Sequence, residues 1–280
     1  MSSYGDRLGE HTIMDTTLTA VIVFGCLIGA VLVGRILRRV LPESHLSADS
    51  RDVVKLAMGL VATMAALVLG LLVSSAKGSY DTERSEVIQM AAKITFLGRV
   101  LAAYGPETDG VRTQLRDTVE EGIRQMWPGE MRRPANFAPD TQAGNAVYSA
   151  IQRLSPQNDM QAALKSQAAA LAIDIAQVRS LLAAQSVPSI STPMLIILVC
   201  WLAIIFLGFS VLAPSNATAI LALMVSALAV SGAIFLILEL DQPFGGLIRI
   251  SSQPTLNALS QIGKYGQSAQ LERKANVLRS

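Results

Sequence analysis

Two carboxylates, Glu239 and Asp241, close a long apolar run in the stretch LELDQPFGG, Leu238–Gly246. Acids placed there can pair with basic side chains. Repeated around a ring of subunits, they can instead form a mouth that attracts ions. The C-terminal end of a helix carries the negative end of its dipole, so carboxylates there call for basic partners or water. Lys77, Arg84 and Arg249 are the candidate partners, being near in sequence or on the same membrane face by span counting. Pro243 biases Gln242 away from helix, so the helix should stop near Leu240 or Asp241. Gly245-Gly246 then permits a sharp turn, and Phe244, Leu247, Ile248 and Ile250 can fold back onto the bilayer or the bundle. Pro243, Phe244 and Gly245 form the turn motif. An ordinary helix stop with an interfacial foot and an ion-attracting ring both fit these residues.

A second constellation lies in an earlier apolar run. Gly59, Thr63, Ala66, Gly70 and Ser74 recur every three or four residues and make one small, slightly polar helix face. Leu60, Met64, Leu67 and Leu71 make a bulky stripe beside it. Small faces let membrane helices approach closely. In an oligomer the same face can wall a transport pathway, with Leu67 and Leu71 as a hydrophobic gate that closes by dewetting. Gly25-x-x-x-Gly29 is a further close-packing signal.

Other chemistry is scarce. There is no phosphate-cradling glycine loop and no spacing that supports a Ser-His-Asp site. His11 and His45 fall in polar segments read as loops. Cys26 and Cys200 sit inside apolar runs, where free thiols are expected to be buried as small hydrophobes. No catalytic residue, metal site or cofactor is therefore expected, and the chain does not read as an enzyme.

The elements that carry these residues follow from composition. Apolar residues make up 51% of the chain and charged ones 16%, which points to a membrane protein. A net charge of +2 gives no reason to expect a nucleic-acid partner. The chain is uncharged over Thr16–Gly34, Leu56–Ala76 and Ser180–Leu238, long enough to cross a bilayer four times as helices, which places the spans at about residues 15–36, 54–76, 192–213 and 217–239. Pro214-Ser215-Asn216 splits the last two into a hairpin, because Pro cannot continue one helix and Ser or Asn caps the next.

Between the second and third spans the pattern is helical. Val87, Met90, Ile94, Leu97 and Leu101 extend the second span as one helix, which Gly105-Pro106 ends. Val111, Leu115, Val119, Ile123 and Met126 mark another helix, stopped by Pro128-Gly129. Residues 129–144 read as a loop, and Val147, Ile151 and Leu154 as a short helix. Leu164, Ala168, Leu171, Ile175, Val178 and Leu182 alternate four- and three-residue steps, a coiled-coil seam whose expected partner is the antiparallel segment Val87–Leu101. After the spans, Ser252-Gln253-Pro254 opens a helix with Leu256, Leu259 and Ile262 on one face, and a polar tail follows.

The expected fold is an all-α integral membrane protein with four transmembrane helices and a helical, coiled-coil-like extramembrane domain between spans 2 and 3. Its parts are an N-terminal tail (1–14), a transmembrane hairpin (15–76), the helical domain (77–190), a second hairpin (191–240) and an interfacial turn, short helix and tail (241–280).

The segments RDVVKLAMGLVATMAALVLGLLVSSAKGSYD, APSNATAI and FLILELDQPFGGLIRIS resemble the bacterial bestrophin-like domain family, over about Leu27 to Gly263. That resemblance implies a distant link to bestrophins, pentameric ion channels whose second span lines the pore. It implies a homo-oligomer in the bacterial cytoplasmic membrane, in contact with the lipid bilayer and conducting small ions. Asp241-Gln242-Pro243-Phe244-Gly245 matches the family's Asn/Asp-x-Pro-Phe-Gly turn. Calcium-responsive bestrophins carry a run of acids after that turn; Gly246, Leu247 and Ile248 stand here, so no calcium clasp is carried over. The second span also has no Phe for an aromatic constriction. The rival reading is a non-conducting scaffold or sensor whose helical domain binds a protein or ligand. Arg35, Arg38, Arg39, Arg51 and Lys55 in the first loop make that loop cytoplasmic by the charge rule, whereas bestrophins have the opposite arrangement.

Overall fold

A computed structural model of the chain describes residues 5–40, 48–127, 141–185, 190–214, 216–245 and 247–263. Among these residues the structure is all-helical, with no strand. The helices are α1 (Gly5–Val40), α2 (Ala48–Tyr104), α3 (Asp109–Met126), α4 (Thr141–Gln152), α5 (Asp159–Gln185), α6 (Thr192–Leu212) and α7 (Ala217–Leu240). A further helix, α8, covers 253–263. Four of them hold segments long and apolar enough to cross a membrane: Thr16–Val40, Arg51–Tyr104, Thr192–Leu212 and Ala217–Leu240.

The chain divides into two compact units. One comprises Glu10–Tyr80 and Pro188–Ile248, and so holds the four apolar segments. Its core takes Val23, Leu27 and Val31 from α1, and Ala65, Leu72 and Ala76 from α2. From α6 come Leu198, Leu202, Ile205 and Phe206, and from α7 Ala227, Ile234 and Ile237. α1 and α6 lie close together where Gly34 has no side chain: a Cβ there would lie 2.8 Å from Ser210 Cβ. The Ser210 hydroxyl donates to the Val31 carbonyl at 2.6 Å across that contact. Gly208 of α6 makes room in the same way for the thioether of Met58 on α2. Asn216 caps α7, its side-chain oxygen accepting from the Ala219 N–H at 3.0 Å. Ser215, expected to share that cap, lies outside the described residues.

The close-packing expectation at Gly25 and Gly29 is corrected within the chain: among the described residues, nothing beyond the helix's own backbone comes within 4 Å of where a Cβ would stand on either residue. Cys26 and Cys200 are exposed rather than buried. Both corrections have one cause. A membrane helix is apolar all round, so its hydropathy does not say which side meets another helix. His11 lies on α1 rather than in a loop, and His45 is outside the described residues.

The other unit contains Asp81–Val187 and the chain from Arg249 onward. α2 ends at Tyr104 because Gly105 adopts φ 130°, a conformation that residues with a Cβ rarely reach. The Thr108 hydroxyl then lies 2.6 and 2.7 Å from the Leu101 and Gly105 carbonyls and shares its one proton between them, at groups the helix end leaves open. In α3 the expected face, Val111, Leu115, Val119, Ile123 and Met126, is buried, and Arg112 is buried with it. α4 starts at Thr141, inside the segment expected to be loop. The stop at Pro128-Gly129 falls outside the described residues.

α5 runs antiparallel to the α2 extension. Lys93 pairs with Asp174 at 3.0 Å, while Gln161 donates to the Tyr104 carbonyl at 3.0 Å near the other end. Ala168, Val178 and Leu182 of the seam are buried, as are Val87, Ile94, Leu97 and Leu101 of α2. Lys165 donates to the Gln152 and Leu154 carbonyls at 2.7 and 2.8 Å, closing the end of α4 onto α5. On α8 the buried residues are Thr255, Ala258 and Ile262, one position behind the face expected through Leu256 and Leu259, which are half-buried. Gly98 admits this helix: a Cβ there would stand 3.0 Å from Ile262. Trp127 also holds the segment before it, donating from Nε1 to the Ile250 carbonyl at 2.7 Å.

Candidate transport pathway

α2 buries one side of its apolar part and leaves the rest outward. Met58, Ala65, Leu72 and Ala76 face the core, and Ala76 is fully buried. At about 100° of turn per residue, the line Gly59, Thr63, Ala66, Gly70, Ser74 lies roughly 135° away from them. All five residues of that line are exposed. An added Cβ at Gly59 or Gly70 would meet nothing within 4 Å. The Thr63 hydroxyl donates to the Gly59 carbonyl at 2.9 Å, so it is satisfied within its own helix. Such a hydroxyl can face an apolar or an aqueous surround without an orphaned donor.

The bulky stripe is outward too. Leu67 is 67% and Leu71 60% exposed, while the adjacent Leu72 is in the core. The small face and the stripe therefore form one continuous surface that the described residues leave uncovered.

The charged candidates divide between the two units. Lys77 is exposed just beyond the small face, and its ammonium lies 5.4 Å from the centroid of the Tyr80 ring, a cation–π distance. Glu239 is in the same unit and is 1% exposed. α7 ends at Leu240, as Pro243 requires, and the chain turns through Gln242–Gly245, with the Gly245 N–H donating to the Gln242 carbonyl at 3.3 Å. That turn brings the Leu247 N–H to Glu239 Oε2 at 2.5 Å. The partner of this carboxylate is thus a backbone amide beyond the turn, a donor that sequence spacing does not reveal. Its other oxygen, Oε1, is buried with no hydrogen-bond partner. Asp241 caps α7 and is half-buried. Pro243 and Phe244 are buried, Gly245 is exposed, and Leu247 projects outward at 73% exposure instead of folding back. Arg84 and Arg249, both exposed, belong to the helical unit. Among the described residues, no three His, Cys, Asp or Glu side chains come together as a metal site would require.

Residues 25–255 match the family model of the Bestrophin-like domain. The chain belongs to that family. The match takes in α1 from Gly25 onward, the apolar helices α2, α6 and α7 in full, and the helical unit from Asp81 to the first residues of α8. No curated protein matches this bestrophin-like chain, and no solved structure does. Four membrane-length helices and the family together make it a membrane protein related to channels.

Proposed function

We propose that this bestrophin-like protein is an oligomeric, channel-like membrane protein of the bacterial cytoplasmic membrane, with a pathway for small ions lined by α2. The observation that carries this reading is the outward position of the small face. Gly59, Thr63, Ala66, Gly70 and Ser74 are all exposed, whereas the chain packs the opposite side of the same helix. Copies arranged around an axis would bring one such face per subunit to the centre. Thr63 and Ser74 would supply hydroxyls there, and Leu67 and Leu71 a hydrophobic constriction able to dewet. Lys77, Asp241, Arg84 and Arg249 would be the charges toward the ends of that pathway, and Glu239 is held by the turn. The helical domain, about residues 77–190, would stand outside the bilayer with the α2 and α5 segments packed as an antiparallel pair.

The test is conductance of purified protein in lipid bilayers. Thr63→Leu and Ala66→Leu change outward residues, so the fold of one chain tolerates them. Each should lower single-channel conductance while the particle mass stays unchanged. Normal conductance in both variants, or loss of assembly before loss of current, would remove α2 from the pathway. The rival reading, a non-conducting sensor, has one observation in its favour: the helical unit holds a mainly apolar pocket that is partly open to the surface.

A further inference from the structure

The helices of the 81–187 unit do not close completely. Between α2, α3, α4, α5 and α8 lies a cavity of about 150 Å³. Its walls are mainly apolar, with Ile94, Leu97, Leu115, Ile123 and Ile175 among them. An apolar cavity of about that size accommodates a benzene ring. The space persists because two glycines face it. An added Cβ at Gly122 or Gly144 would meet nothing within 4 Å, and both residues line the cavity.

Two polar groups on the wall have hydrogen-bonding capacity to spare. Thr255 is 2% exposed and its hydroxyl has no hydrogen-bond partner. Arg179, half-buried, donates from Nη2 to Gln125 Oε1 at 3.1 Å. A guanidinium carries five N–H donors, so one neutral acceptor leaves most of its capacity unused. The neighbouring acids are already engaged: Asp174 holds Lys93, and Glu121 holds Arg124 and the Gln125 amide. Among the described residues no carboxylate pairs with Arg179. An apolar, partly open pocket with an unneutralised guanidinium and a free hydroxyl at its wall suits a ligand with an apolar body and one anionic end.

We propose that this cavity is a binding site for a small amphiphilic anion, an aryl or short-chain acyl carboxylate, whose apolar part fills the space between α2, α3 and α5 and whose carboxylate is held by Arg179. The site is independent of any pathway along α2 and stands whether or not the protein conducts. It lies within one unit of one chain, so binding needs no second copy.

The experiment is a fluorine NMR titration of the full-length protein in lipid nanodiscs. The probes are 4-fluorobenzoate and its neutral isostere 4-fluorobenzyl alcohol. The expected result is saturable binding of the benzoate, at least tenfold tighter than that of the alcohol. Arg179→Gln should abolish this tenfold preference while leaving alcohol binding within twofold of wild type. Gly122→Leu, which places a side chain in the open space, should abolish binding of both probes. Gly122→Ala, a smaller filler with little risk to folding, should weaken both severalfold. Absence of saturable binding to the wild type overturns the proposal. So does binding that both Gly122 variants leave unchanged, since the probe would then reside in lipid. Equal weakening of both probes by Arg179→Gln overturns the anionic class of the ligand.

Discussion

Gly34→Ala should destabilise the four-helix unit, and the magnitude follows from the contact. The new methyl carbon would stand 2.6 Å from the Leu207 carbonyl oxygen and 2.8 Å from Ser210 Cβ. One obstacle is backbone and the other is the first carbon of a side chain, so no rotamer change relieves either. α1 and α6 must separate by several tenths of an ångström. Overpacking of this kind costs about 1–3 kcal/mol. Separation also stretches the Ser210 hydroxyl bond to the Val31 carbonyl, now 2.6 Å; interhelical bonds in membranes contribute about 0.6 kcal/mol on average. Against this, Ala is favoured over Gly in a helix interior by at most about 1 kcal/mol. The net expectation is a loss of about 1–3 kcal/mol. Gly25→Ala is the matched control on the same helix, because its added carbon meets no described residue outside its own helix backbone. Reversible unfolding in mixed micelles, followed by circular dichroism, measures both. Ser210→Ala should cost about 1 kcal/mol or less, since it removes the bond and keeps the packing. A Gly34→Ala protein as stable as wild type, or a Gly25→Ala protein equally damaged, would refute the assignment of Gly34 as the approach point of these helices.

Tyr104→Phe should leave stability unchanged or raise it by about 1 kcal/mol, because the buried phenol oxygen has no hydrogen-bond partner; thermal unfolding reads this. Burial, with the Glu107 carboxylate adding to it, pushes the Tyr104 pKa above its ordinary value of 10.0. The folded state therefore holds its proton more tightly than the unfolded state does. The resulting stability is fully present below pH about 10 and is lost as pH rises through the folded pKa, a loss that Tyr104→Phe should abolish in an alkaline titration of unfolding. Trp127→Phe should orphan the Ile250 carbonyl, costing about 1–3 kcal/mol, with faster amide hydrogen exchange across 249–263 as the local readout. Lys93→Ala should cost no more than about 1 kcal/mol, and less at high salt, because its ion pair with Asp174 is partly solvated; denaturant unfolding at two ionic strengths checks it.

Much of the architecture is written in local chemistry. The end of α2 at Gly105-Pro106 and the end of α7 before Pro243 follow from backbone rules that need no partner. The buried face of α3 follows because that helix is amphipathic, with apolar residues on one side only. The apolar runs and the blocks around Gly59–Ser74 and Glu239–Gly245 were likewise enough to suggest the family.

Tertiary structure decided which faces meet. In the apolar helices every side is compatible with burial, so Gly25 and Gly29 were indistinguishable from Gly34 and Gly208 until a neighbouring helix selected between them. The same holds for the outward placement of Cys26 and Cys200. Glu239 found a backbone amide eight residues on, because a turn determines distances that composition does not. Thr255, Arg179 and Gly122 are far apart in the chain and unremarkable alone; only the packing of α2, α3, α5 and α8 places them around one space. A helix specifies its own length and polarity through short-range sterics and hydrogen bonds. The contacts that make a site are long-range, and they depend on how several such helices fill volume together.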